Sequence, residues 1–93
     1  MSDSVLYRPF DIVRRLRTEV AVIYRCVEVL PGRGFVVQSA DRVWLPVDRE
    51  LLRRHEQQFW ELFCEEAPEV RSGLFATVEQ AIASFDADFN NEH

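Results

Sequence analysis

The sequence predicts the α+β class: a small antiparallel β-meander of two or three strands, a short N-terminal helix before it, and two C-terminal helices packed on it. Three observations carry this. Residues 19–30 form a Val, Ile, Tyr and Cys run that is apolar at both parities. Pro31-Gly32-Arg33-Gly34 follows it as a hairpin turn. Beyond Asp48, apolar side chains recur every three or four positions. A chain of 93 residues is sized for one domain over 1–93, with one core and little to spare.

Residues 5–18 place Leu6, Phe10, Val13 and Leu16 at steps of four, three and three, which suits a short helix with Pro9 in its first turn. A strand from Asp11 onward is the alternative. In 19–30 the sets Val20/Val22/Tyr24/Cys26 and Ala21/Ile23/Val27/Val29 are both largely apolar, the mark of a strand covered on both faces. Proline fixes φ and glycine supplies positive φ in the turn that follows. Phe35 to Ser39 then returns as a second strand. Ala40-Asp41-Arg42 is polar enough for another turn, and Val43-Trp44-Leu45 forms a third short strand ended by Pro46. One long, bulged hairpin is the alternative to this three-stranded arrangement.

Asp48 is a good N-cap, and the helix it opens should run from Arg49 to about Ala67, stopping before Pro68. Leu51, Leu52, His55, Phe59, Leu62 and Phe63 form its apolar stripe. Thr77 with Gln80 makes a capping box for a last helix, whose stripe is Val78, Ile82, Phe85 and Phe89. Residues 1–4 and 90–93 are expected to be flexible.

Composition narrows the function classes. No apolar run reaches the ~20 residues of a membrane span, and the first residues lack a signal-peptide pattern, so a cytoplasmic protein is expected. Cys26 and Cys64 are too few for a disulfide framework and read as free thiols. Every basic residue is an arginine, which suggests GC-rich coding and a bacterial source. The net charge of −5 is unevenly spread. Residues 1–25 hold five arginines against three acids, and residues 61–93 hold one arginine against eight acids.

Reactive constellations are scarce. The two histidines are His55 and His93; the first lies within a helix stripe and reads as structural. Cys64 is nine residues from His55, about 13 Å along one helix, too far to pair within it. There is no CxxC, HxxxH, Walker loop or GxGxxG, so neither a metal nor a cofactor is expected, and no catalytic residue is assigned. What remains is a candidate interaction surface: Arg14, Arg15 and Arg17; Glu61, Glu65, Glu66 and Glu69 toward the end of the long helix; and Trp44 and Trp60. Acids at a helix C-terminus oppose its dipole, and such local conflict can mark a partner surface. The expected function is therefore a non-catalytic protein–protein interaction or regulatory module that binds a protein partner or associates with itself as a homodimer. Two alternatives are nucleic-acid binding through the N-terminal arginines, and small-ligand binding in a pocket lined by Tyr24, Trp44, His55, Phe59 and Trp60.

Overall fold

The computed structural model describes residues 4–90, with side chains through residue 88. The expected flexibility of the termini falls chiefly on residues 1–3 and 91–93, which lie outside the described residues, as does the Phe89 side chain. Three strands, β1 (Tyr7–Arg17), β2 (Val20–Val29) and β3 (Gly34–Trp44), precede three helices, α1 (Arg49–Glu65), α2 (Pro68–Ser72) and α3 (Val78–Asn90). The strands form one antiparallel sheet in the order β1-β2-β3.

The run that is apolar at both parities is the central strand. Val27, Val29 and Val36 pack under Phe59 of α1, with Tyr7 and Phe63 at the margin. On the opposite face Tyr24, Cys26 and Val37 pack under Ala81 and Ile82 of α3, joined by Phe10, Ile12, Val78 and Phe85. Helices thus cover both faces, and β2 contributes to both cores.

Two sequence expectations are corrected. Residues 7–17 are a strand, not an N-terminal helix. Its even positions Phe10 and Ile12 join the α3-side core, whereas Val13 of the supposed stripe is 60% exposed. Spacing in threes and fours concealed a period of two, because an edge strand buries little and arginines occupy both its parities. The turn expected at Ala40-Asp41-Arg42 is likewise absent: β3 is continuous from Gly34 to Trp44. Asp41 is half-buried beneath α1, its Oδ2 accepting from Arg25 Nε at 3.1 Å, so a polar triplet lies inside a strand.

Strand β3 carries one surplus residue. Cys26 stands opposite Val37, but Arg25 stands opposite Ser39, leaving Gln38 as a β-bulge. Its buried amide donates from Nε2 to the Phe59 carbonyl of α1 at 2.7 Å, tying helix to sheet where the register shifts. The other caps follow the sequence. Asp48 accepts from Leu51 N–H at 3.1 Å, and Thr77 Oγ1 accepts from Gln80 N–H at 3.1 Å. Pro68, expected only as a stop, also opens α2 from its first turn.

Gly34 marks a close backbone approach. Phe35 and Phe75 exchange N–H···O=C bonds of 2.8 and 2.9 Å, so residue 75 lies as a one-residue antiparallel bridge on the outer edge of β3. A Cβ on Gly34 would come within 2.6 Å of the Phe75 oxygen, and φ there is +139°; no side chain fits.

Candidate functional site: a groove along the edge of β3

Backbone direction alternates along a strand, so two bonds fix which groups of β3 face outward. Phe35 is turned outward to Phe75, while Leu45 N–H donates inward to the Glu19 carbonyl at 3.1 Å. Across the bulge, this leaves Ala40, Arg42 and Trp44 presenting their main-chain N–H and C=O groups away from β2. Beyond Phe75 no backbone bond of the described residues occupies that edge.

A groove of about 610 Å³ takes in that edge and extends across the sheet to Arg14 and Leu16 of β1. Gln58 and Leu62 of α1 line it from one face of the sheet. Arg71 of α2 with Phe85 and Asp86 of α3 line it from the other, and Val22, Tyr24 and Ala40 also contribute to the lining. Leu16, Val22, Leu62 and Phe85 make part of it apolar, while Arg14, Arg42 and Arg71 bring three guanidinium groups to it.

One wall is held by a closed triangle. Arg14 Nε donates to Tyr24 Oη at 3.1 Å, and Arg14 Nη2 donates to Asp86 Oδ2 at 3.1 Å. Tyr24 Oη donates to Asp86 Oδ1 at 3.0 Å. Burial raises the Tyr24 phenol pKa; the Arg14 bond lowers it, the Asp86 bond raises it, and the balance is upward. The phenol therefore stays protonated and keeps donating to Asp86 at neutral pH. Its bond to Arg14, and after it their electrostatic interaction, raises the guanidinium above its ordinary value. Arg42 and Arg71 have no ion pair within the described residues. The groove thus carries a surplus of positive charge in a chain of net charge −5.

The residues singled out from the sequence are dispersed. Arg14 lies in the groove wall. Arg17 lies over the Trp44 ring, 5.9 Å from its centroid, and Arg15 stands exposed on the other face of β1. Arg25 is half-buried against Asp41. The arginines therefore form no continuous basic stripe. Trp60 packs edge-on against Phe59 and Phe63 and lines a small cavity with Pro9, Phe10 and Asp11, whereas Trp44 lines another with Pro46, Leu51 and Leu52. Glu69 accepts from Tyr7 Oη at 2.9 Å, Glu61 accepts from Gln57 at 3.3 Å, and Glu65 and Glu66 are exposed. Tyr24 belongs to the α3-side core and Phe59 to the α1-side core, so the five aromatic and histidine side chains expected to line one pocket are divided by the sheet. Cys26 and His55 are divided in the same way.

Among the described residues, no three His, Cys, Asp or Glu side chains gather to hold a metal ion, and no helix is long and apolar enough to cross a membrane. Sequence reasoning missed Arg42, Arg71 and Asp86. Asp86 had a usable signal, since it follows Phe85 in the apolar stripe of α3. Arg42 had none once residues 40–42 were read as a turn. Comparisons with protein-family models, with curated proteins and with solved structures found no match.

Proposed function

We propose that this chain is a non-catalytic protein-interaction module whose groove takes an extended, acidic segment of a partner protein as an added strand on β3. The observation that carries the reading is the open edge at Ala40 and Arg42, flanked by helices on both faces and bordered by Arg14, Arg42 and Arg71. Main-chain bonds to a strand edge give affinity, and pockets for alternate side chains give selectivity. Phe75 already makes such a bond pair on the same edge, with Phe35 on the far side of the Gln38 bulge, so the chain itself uses this edge for strand pairing. Arginine favours carboxylates because its planar donors meet both oxygens.

Panning a displayed library of random peptides against the protein tests this. The recovered sequences should be acidic, and Arg42→Glu with Arg71→Glu should weaken their binding at least about tenfold by fluorescence anisotropy. Absence of binders, or binders indifferent to both reversals, would refute the reading.

A further inference from the structure

The opposite edge of the sheet has a separate property. Leu30 N–H donates to the Leu6 carbonyl at 2.9 Å, so Leu6 faces β2. By alternation Arg8, Phe10, Ile12 and Arg14 also face β2, and Tyr7, Pro9, Asp11, Val13 and Arg15 face outward. Pro9 falls in the outward set, where a missing N–H costs the ladder nothing. Among the described residues no hydrogen bond from another element reaches the outward main-chain groups of Asp11, Val13 or Arg15.

We propose that two copies of this chain pair through β1, antiparallel about a two-fold axis at Val13, to make a continuous six-stranded sheet. In that register Val13 meets Val13, and Asp11 of each copy meets Arg15 of the other. No other two-fold register sets Asp11 against Arg15; pairing about Asp11 opposes two carboxylates, and pairing about Arg15 opposes two guanidinium groups. The three residue pairs supply about six interchain backbone hydrogen bonds. All three side chains stand on the α1 face, where Asp11 already lies 3.9 Å from Arg25 and where the exposed Val13 would be covered.

The ends of the window are closed. Pro9 withholds a donor on one side, and the register shift between Arg15 and Arg17 bends the strand on the other. Such devices stop indefinite edge-to-edge growth; here they bound a short self-complementary segment, which favours a closed pair over a filament. The two open β3 edges would then lie at the far sides of one sheet, separated by five strand spacings of about 4.8 Å, or roughly 24 Å.

Sedimentation of the full chain from micromolar to millimolar concentration tests the pairing, with urea unfolding of each variant as a check on folding. The wild type should dimerise, and Arg15→Glu or Asp11→Arg alone should weaken the dimer about tenfold, since each alters two symmetric pairs. Combining the two exchanges the charges and should restore association. Val13→Pro deletes an N–H that the intrachain ladder does not use, and should abolish dimerisation; protection of the Val13 amide from exchange should rise with concentration in the wild type. A monomer at every concentration, or a dimer indifferent to all of these substitutions, overturns the proposal.

Discussion

Replacing Asp41 by Asn tests how the α1 face is held together. The Asp41 and Arg25 side chains are each only 13% exposed, with Nε and Oδ2 3.1 Å apart. At an effective dielectric constant of ~20 and a charge separation of about 4 Å, their attraction is about 4 kcal/mol. Desolvation offsets much of that in the intact pair, but removing one partner leaves the other buried and uncompensated, which typically costs about 3–5 kcal/mol. Here Asp11, 3.9 Å from Arg25 Nη1, remains as a weaker and more exposed counter-charge, which reduces the expected loss to about 2–3 kcal/mol. With a urea m-value of roughly 1 kcal/mol/M for a chain this size, the unfolding midpoint should fall by about 2–3 M. Arg25→Met should be destabilising alone, and the double variant should recover most of the loss. A coupling below about 0.5 kcal/mol in that cycle, or an Asn variant as stable as wild type, would refute the view that the pair acts as a buried unit.

Three further outcomes are expected. Burial first, and the nearby Asp11 charge second, push the Cys26 thiol up to about 12 from 9.0. The stabilisation from keeping it neutral is complete below pH 9 and is lost as pH rises toward 12. Urea unfolding should therefore show the advantage of wild type over Cys26→Ala shrinking across that range, and parallel pH profiles would contradict it; in the native state a thiol reagent at pH 8 should label Cys64 well before Cys26. Tyr24→Phe should cost about 1–2 kcal/mol by removing the hydroxyl shared by Arg14 and Asp86, measured by thermal or urea unfolding, with a neutral result ruling out a structural role for the triangle. Gly34→Ala should cost more than about 2 kcal/mol, through positive φ and collision with the Phe75 carbonyl, and should increase exchange of the Phe35 and Phe75 amides.

Legibility in the sequence followed burial. The central strand and the Asp48 and Thr77 caps were readable because each rests on local chemistry or on a run of apolar residues covered from both sides. In the stripe of α1, Phe59 is buried and Leu52, His55, Leu62 and Phe63 are half-buried, while Leu51 is exposed. Strand β1 was misread because an edge strand that buries only part of one face shows no clean alternation, and arginines at 14, 15 and 17 erase what alternation there is. Residues 40–42 were misread because polarity was taken for exposure, whereas Asp41 is sheltered by a cation sixteen residues away in sequence. The groove was invisible for the same reason: Arg14, Arg42 and Arg71 converge only once both strands are correctly placed.

The surplus residue at Gln38 gives the chain one position of slack. Upstream of it, odd-numbered positions of β3 look toward α3; downstream, even-numbered ones do. Excising that one residue would restore plain alternation: Val37 would still look toward α3 and Ser39 toward α1, and Asp41, Arg42 and Trp44 would keep their sides and neighbours. The loss would be the bond to the Phe59 carbonyl, so a single-codon deletion at position 38 should cost about as much as Gln38→Ala. One residue added between Ser39 and Trp44 without a second bulge would instead exchange the sides of every position beyond it and part Trp44 from Arg17.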